Sequence, residues 1–228
     1  YVVDAVDTVT AKIELVMKCK EKNVPITVNF VDVPEGIAHF LEHKMFENED
    51  GDAFEKYAKT GANANAFTSF DKTCYIFTAT ENVDESLDIL LDFVTKPYFT
   101  PQTVQKEMGI IGQEIKMYDD SANWRMLFGL LEGLYVNHPV RDDIAGTVES
   151  IAEIDDKLLY DCARGFYSPS QMILCVAGNI TTEQVLAACQ RAGFTSDVAD
   201  VERIRPEEPD EINYKEKTIY MPISTPLV

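Results

Sequence analysis

The chain has 228 residues, 46% of them hydrophobic, so it can bury a sizeable core in one large domain or two small ones. Its formal net charge is -19, with 39 Asp and Glu residues against 20 Lys and Arg residues. This excess argues against a nucleic-acid-binding surface, which needs clustered basic side chains to neutralise phosphate. The charge is compatible with basic or neutral peptide partners, with a less acidic partner subunit, or simply with solubility.

The cysteines and the apolar runs exclude two further classes. The five cysteines are scattered and show no Cys-x-x-Cys spacing. We therefore expect buried, reduced thiols and a cytoplasmic location rather than a disulfide framework or a zinc ribbon. The longest apolar runs are far shorter than the roughly 20 residues of a membrane-spanning helix, so no membrane partner is expected.

The first elements in chain order are predicted as two strands, two helices and a hairpin. Residues 11–19 and 26–33 alternate apolar and polar residues and are rich in Val and Ile, which predicts strands. "EGIAHFLEHKMFE" has apolar residues at helical spacing, and "GDAFEKYAKTG" predicts a short helix from an Asp52 N-cap to Gly61. "NANAFTSFDKTCYIFTATE" alternates around a turn-like "SFDK" and therefore predicts a β-hairpin.

Helices dominate the rest of the chain. "NVDESLDILLDFVTKP" predicts an amphipathic helix closed by Pro97, and the stretch after Thr100 predicts a helix that runs to about Tyr118. Further helices are predicted in "SANWRMLFGLLEGLYV", "SIAEIDDKLLYDCARGFY" and "TTEQVLAACQRAGF". "MILCVAGNI" predicts a buried strand, and "KTIYMPIST" predicts another after the charged linker "RPEEPDEIN". Strands and helices occur in blocks, so the expected fold class is α+β.

One predicted helix carries two of the three histidines of the chain. His39 and His43 are four positions apart, so both imidazoles lie on one helix face and can reach one metal ion. Zinc favours neutral nitrogen ligands in tetrahedral geometry and keeps a fourth position open in catalytic sites. Glu42 flanks the same face and can act as general base toward water, in the inverted order of the more common His-Glu-x-x-His motif. His138, in a loop beside proline, is interpreted as structural.

A third protein ligand is expected from a second helix. Glu107 and Glu114 are seven residues apart and therefore share one face of the helix after Thr100. This spacing favours Glu114 as the ligand and Glu107 as a carboxylate that orients a ligand or a water molecule. Asp119 and Asp120 are competing candidates at the helix end, where acidic residues are usually solvated.

These residues resemble those of the pitrilysin/insulinase family of inverzincin zinc peptidases, which includes insulin-degrading enzyme and the mitochondrial processing peptidase. The resemblance rests on "HFLEH", on the Glu107 and Glu114 pair and on "NANAFTSFDKTCYIF", and it covers most of the chain from Gly36 onward. "GIAHFLEHKMFE" is most similar to bacterial, YmfH-type members of the family. The resemblance implies a LuxS/MPP-like metallohydrolase half, in which a mixed or antiparallel sheet packs on helices.

The resemblance also implies roles for the residues of the metal site. Zn2+ is the implied cofactor, with His39, His43 and Glu114 as its ligands. Glu42 is the implied catalytic base, and Glu107 is the implied supporting acid.

A further implied site concerns the substrate. Asn65 and Ala66 match positions at a sheet edge where, in the family, the substrate peptide pairs as an added strand. From the residues alone, a turn residue is the preferred interpretation of Asn65.

Family members usually consist of two similar halves that close around the substrate, and this chain matches one of them. We therefore expect residues 1–205 to form the catalytic half, and residues 206–228 to form a charged linker and the start of a following, truncated segment. The expected partners are a peptide and a second homologous half, in the same longer chain or in a separate subunit.

The expected function is zinc-dependent endopeptidase activity on extended, unstructured peptides or presequence-like segments. The alternative is a non-catalytic, peptide-binding half that supports an active partner subunit, but such family members typically lose the His-x-x-Glu-His residues. A structural zinc domain is a third hypothesis. It fits less well, because structural sites are usually closed by a fourth ligand, often Cys, and no cysteine lies near the motif.

Overall fold

The computed structural model describes residues 11–18, 33–194 and 206–225. Its helices are α1 (Ile37–Met45), α2 (Ala53–Thr60), α3 (Val83–Thr95), α4 (Pro101–Asp119), α5 (Ala122–Leu134), α6 (Val148–Ile151), α7 (Asp156–Phe166) and α8 (Thr182–Arg191). Its strands are β1 (Ala11–Lys18), β2 (Glu47–Asn48), β3 (Gly51–Asp52), β4 (Asn63–Thr68), β5 (Lys72–Ala79) and β6 (Met172–Ala177). The predicted α+β class is confirmed.

Four strands form one antiparallel sheet in the order β4-β5-β1-β6. β4 and β5 are the predicted hairpin, with Ala66 opposite Tyr75. Within the described residues, β4 is therefore an edge strand. Its residues alternate between exposed and half-buried, as expected for a strand with one face on the core.

The helix boundaries follow from local capping chemistry. Asp52 accepts a hydrogen bond from the Phe54 amide at 2.7 Å, and Gly61 ends α2 with a φ of 76°, as the sequence predicts. Thr100 and Thr103 form a capping box at the start of α4, where Pro101 needs no amide hydrogen. These caps fix where the helices next to the sheet begin and end.

The core lies between the sheet and the helices that pack on its inner face. Tyr75 and Phe77 of β5 are fully buried, as are Phe40 and Met45 of α1. The rest of the core comes mainly from α3, α4 and α7, with Leu87, Leu90, Leu91, Val94, Ile111 and Leu159 each no more than 1% exposed. Burial of so many large side chains holds α1 and α4 against each other and against the sheet.

The structure corrects three predictions of secondary structure. The single helix predicted over residues 150–167 is two helices, because the Asp155 side chain caps α7 by accepting the Leu158 amide at 2.8 Å. β6 was predicted to be buried but alternates between half-buried and exposed residues, since it ends the sheet among the described strands. Residues 217–225 form no strand, and no described strand pairs with them. Most of the strand predicted at 26–33 lies outside the described residues.

Residues 206–225 instead run as an irregular segment against α5. The Glu208 carboxylate accepts hydrogen bonds from three consecutive backbone amides, 136 to 138. Asn213 donates its amide hydrogen to the Gly133 carbonyl oxygen at 2.9 Å, and the Tyr214 ring lies over Gly133. A Cβ at position 133 would lie 2.9 Å from a Tyr214 ring carbon, so glycine is required for this close contact.

Four of the five cysteines fall in the described residues, and no disulfide joins them. Cys74 and Cys162 are buried as expected, whereas Cys175 is exposed. In the same part of the chain, every helix is too short or too polar to cross a lipid bilayer.

Candidate metal centre

α1 presents its two histidines on the side that faces α4. Phe40, Leu41 and Met45 point into the core, which leaves His39 and His43 one turn apart on the adjoining face, with ring centroids 4.6 Å apart. The helix starts immediately after Gly36, whose φ is 87°. A Cβ at this position would lie 2.4 Å from a backbone oxygen of the loop that precedes α6, so glycine brings this loop close to the start of α1.

α4 brings the two glutamates to the same place. Ile111 and Ile115 bury one side of α4 in the core, and Glu107 and Glu114, two turns apart, lie half-buried on the side toward α1. α1 and α4 pack directly on each other. The second helix that the sequence predicts as the source of a ligand is therefore adjacent to the first.

Three side chains converge on a single point. Glu114 Oε2 lies 3.6 Å from His39 Nε2 and 3.5 Å from His43 Nε2, and the potential ligand atoms of the three residues all lie within 4.8 Å of one another. These separations are long for hydrogen bonds. Ligand atoms about 2.1 Å from a tetrahedral zinc ion are about 3.4 Å apart, so the grouping fits zinc.

Glu107 fixes the orientation of the His43 ring. The Nδ1 of this ring lies 2.9 Å from Glu107 Oε1. A carboxylate only accepts hydrogen bonds, so Nδ1 carries the proton and the lone pair of Nε2 is directed toward Glu114. The predicted role of Glu107 as a supporting acid matches this contact. The second ring nitrogen of His39, Nδ1, is buried and has no hydrogen-bond partner among the described residues.

Glu42 lies beside the convergence point and is only 7% exposed. Its Oε2 accepts a hydrogen bond of 2.6 Å from the Thr68 hydroxyl at the end of β4. Thr68 Oγ1 is in turn 3.3 Å from Thr73 Oγ1 on β5. The hairpin thus holds the Glu42 carboxylate from the side opposite to α4.

The electrostatics of the centre reflect its burial and its three carboxylates. Burial, followed by the nearby His43, lowers the pKa of His39 to about 4. Burial opposes charge on His43 as well, but the hydrogen bond to Glu107 and the charges of Glu107 and Glu114 raise the pKa of His43 overall. Burial raises the pKa of Glu42, although the Thr68 hydrogen bond opposes this shift. A carboxyl group with a raised pKa is a better proton acceptor, as a general base requires.

The centre lines a cleft of about 310 Å³. Its helical wall is formed by α1 and α4 with His39, Glu42, His43, Glu114 and Tyr118, and its strand wall is formed by residues 65–68 of β4. Trp124 and residues 144 and 145 complete the lining. The cleft therefore places an edge strand directly opposite the converging side chains of α1 and α4.

The hydrogen-bond pattern of the hairpin shows which backbone groups of the strand wall are free. The Ser69 amide donates to Lys72 O at 2.8 Å, so alternate residues before it, including Asn65, direct their backbone groups toward β5. Ala66 and Thr68 then direct theirs to the open edge. The Ala66 amide is covered by the Asn65 side chain, whose Oδ1 accepts its hydrogen at 2.9 Å. Asn65 is thus a strand residue and not a turn residue.

The other candidates from the sequence lie away from this grouping. Asp119 is exposed and accepts a hydrogen bond from Arg125, and Asp120 is exposed at the end of α4. His138 has the structural role predicted for it, since its Nδ1 accepts the Val140 amide at 3.1 Å and caps a short 3₁₀ turn.

Two residues of the site were missed by the sequence analysis. Thr68 bonds the Glu42 carboxylate, and the Tyr118 hydroxyl donates to Glu114 Oε1 at 2.6 Å. Tyr118 is four positions after Glu114, so the helical spacing that paired the two histidines could also have identified it. Thr68 reaches Glu42 only through the packing of the hairpin on α1, which no local pattern reveals.

Comparison with known proteins agrees with this geometry. The sequence profile of the insulinase family, peptidase family M16, matches residues 32–148, about half of the chain. The chain belongs to this family. The "Uncharacterized zinc protease YmfH" of Bacillus subtilis is 50% identical over 207 residues, covering 89% of this chain and 48% of that protein. The "Probable mitochondrial-processing peptidase subunit beta" of Schizosaccharomyces pombe is 30% identical over 161 residues, covering 68% of this chain and 35% of that protein.

Solved structures of M16 proteins share the fold. An M16-like peptidase from Alicyclobacillus acidocaldarius is 36% identical with a TM-score of 0.79, covering 90% of this chain and 50% of that one. A peptidase M16 inactive domain from Pseudomonas fluorescens is 16% identical with a TM-score of 0.72, covering 89% of this chain and 50% of that one. The second likeness concerns the fold alone. The chain spans about half the length, or less, of these relatives.

Proposed function

We propose that this chain is the metal-binding, catalytic half of a zinc endopeptidase. The observation that carries the proposal is the convergence of His39 Nε2, His43 Nε2 and Glu114 Oε2 at zinc-like separations, in a cleft open to an edge strand. Family membership and the zinc-protease name of the Bacillus relative support the same conclusion.

In this proposal, each residue of the centre has a separate role in metal binding or in proton transfer. His39, His43 and Glu114 would hold the ion, and Glu107 would keep His43 in the tautomer that binds it. An ion held there would supply Lewis-acid chemistry: it would polarise a scissile carbonyl group and lower the pKa of a water molecule toward about 7. Glu42 accepts the proton of the attacking water and delivers it to the leaving amine, and Thr68 holds its carboxylate in place for both transfers.

The strand wall supplies the substrate site in this proposal. An extended peptide adds to the open edge of β4 and pairs with the outward backbone groups of Ala66. To reach the Ala66 amide, the peptide displaces the Asn65 side chain that covers it. Backbone pairing of this kind favours unstructured peptides or presequence-like segments with little regard to side chains. The net charge of -19 favours basic ones.

The described part of the chain leaves this cleft open. We therefore propose that a second homologous half, covalently attached or in a partner subunit, covers the substrate. In this arrangement residues 1–205 are the catalytic half, and residues 206–228 are a charged linker and the start of a following segment.

Metal analysis of the purified protein tests the proposal. The wild type should contain about one zinc ion per chain, because three ligands and an open fourth position describe a catalytic site. Glu114→Gln should lose most of this zinc, whereas the matched variant Asp120→Asn, at the exposed end of the same helix, should retain it. A wild type that stays metal-free after zinc supplementation would overturn the proposal.

The residues of the centre distinguish the proposed peptidase from two alternatives, a non-catalytic peptide-binding half and a structural zinc site. A non-catalytic, peptide-binding half has no need for Glu42 next to an intact ligand set. Zinc binding without any peptide cleavage, even in the presence of a second homologous half, would favour that alternative. A structural zinc site usually has four protein ligands. In the described residues the grouping comprises three, and no cysteine belongs to it.

A further inference from the structure

The two oxygens of Glu114 have different partners. Oε2 faces both histidines, at 3.6 Å from His39 Nε2 and 3.5 Å from His43 Nε2. Oε1 accepts the hydrogen of the Tyr118 hydroxyl at 2.6 Å. A phenol is protonated at neutral pH and donates one hydrogen, so this bond occupies the oxygen that points away from the convergence point.

Tyr118 is itself held in place by a chain of contacts. Its ring stacks on Trp124 with centroids 4.3 Å apart and an angle of 12° between the rings. Trp124 Nε1 donates to Asp143 Oδ2 at 2.6 Å, and Asp143 Oδ1 accepts the Ala145 amide at 3.0 Å. The phenol is thus fixed by α5 and by the loop before α6, and not only by its own helix.

Resting on the zinc endopeptidase function proposed above, we propose that Tyr118 is a positioning residue that keeps Glu114 a ligand through one oxygen. An ionised carboxylate can bind a metal ion through one oxygen or through both. A second oxygen from Glu114 would take the fourth position of a tetrahedral zinc site, which water needs. The Tyr118 hydroxyl prevents this by holding Oε1 in a charge-assisted hydrogen bond.

The test compares Tyr118→Phe with Tyr160→Phe in the purified protein. Tyr118→Phe removes the hydroxyl but keeps the ring that stacks on Trp124. Tyr160→Phe is the matched control, because its hydroxyl also makes one hydrogen bond, from the Phe99 amide at 2.9 Å, but does not line the cleft. Three quantities are measured: zinc affinity by competition with a chelator, the visible spectrum of the Co2+-substituted protein, and kcat and KM on an unstructured peptide.

The proposal predicts a specific combination of results for Tyr118→Phe. Zinc affinity should fall by less than about tenfold, since all three ligands remain, while kcat should fall by about tenfold to a hundredfold with KM unchanged. The Co2+ absorption should weaken, because five-coordinate Co2+ absorbs less strongly than four-coordinate Co2+. Tyr160→Phe should match the wild type in all three measurements.

The outcomes separate the role of Tyr118 from the function on which it rests. A Co2+ spectrum and a kcat equal to those of the wild type would overturn the role of Tyr118 alone. Equal losses of thermal stability and activity in both variants would also overturn it, since they would show a purely structural effect. A wild type that binds neither metal would overturn the proposed function, and the role of Tyr118 with it.

Discussion

The two walls of the cleft differ in how firmly hydrogen bonds hold their polar groups. On the helical wall, Glu42, His43 and Glu114 each have a partner that fixes the side chain: Thr68, Glu107 and Tyr118, respectively. On the strand wall, the outward amide of Ala66 is covered only by the exposed side chain of its neighbour. Chemistry at a metal needs fixed geometry, whereas binding of varied peptides needs a surface that can exchange partners.

Among changes to the helical wall, removal of the proposed base Glu42 should reduce activity most. Glu42→Gln keeps the shape of the side chain but cannot accept the proton of water, so kcat should fall by about 10²- to 10⁴-fold. Zinc content should stay at the wild-type level, because Glu42 is not one of the converging ligands. Parallel assays of peptide cleavage and metal content check both parts, and activity within threefold of the wild type would rule out Glu42 as the base.

Thr68→Val probes the point where the two walls meet. The isosteric change removes the hydroxyl that bonds the Glu42 carboxylate. A hydrogen bond to a charged group contributes about 1.5–3 kcal/mol, so kcat should fall by about 10- to 100-fold if the bond is needed during proton transfer. Thr95→Val removes a hydroxyl bonded to a backbone carbonyl in α3 and should leave kcat unchanged. Equal kcat values for the two variants would contradict a positioning role for Thr68.

A substitution in the strand wall should have a smaller effect than one in the helical wall, and it should change KM rather than kcat. Ala66→Pro removes one outward amide, which an edge strand tolerates, so KM should rise by about two- to tenfold for the loss of one hydrogen bond. The control Ala64→Pro removes the next outward amide along β4, at a residue that does not line the cleft. A change in kcat alone, or the same rise of KM in both variants, would show that peptides do not pair at Ala66.

Local sequence patterns were sufficient to predict most of the helices and strands. The period of α1 and α4, the Asp52 cap and the alternation of the hairpin are properties of neighbouring residues, and the structure has each of them. The break between α6 and α7 was missed because apolar spacing across residues 150–167 outweighed the capping signal of Asp155. The strand expected at 217–225 is absent because a strand needs a hydrogen-bonded neighbour, which the described part of the sheet does not provide.

The residues of the candidate metal centre could be predicted only in part, because some of their contacts join elements that are distant in the sequence. The i, i+4 spacing placed His39 and His43 together, and the geometry of α4 made Glu114 one of several candidates until the family resemblance selected it. The contacts of Glu114 with Tyr118 and of Glu42 with Thr68 depend on side-chain rotamers and on packing between elements. The i, i+4 spacing could have indicated the contact of Glu114 with Tyr118, whereas no pattern along the chain encodes the contact of Glu42 with Thr68.

The close contact between Gly133 and Tyr214 has a consequence for how this sequence can evolve. The two positions are 81 residues apart in the chain (214 − 133), but a Cβ at 133 would lie 2.9 Å from a carbon of the ring at 214. Substitutions at the two positions are therefore coupled. A relative with alanine at the first position needs a smaller residue at the second, or a different path for the segment at residues 206–225.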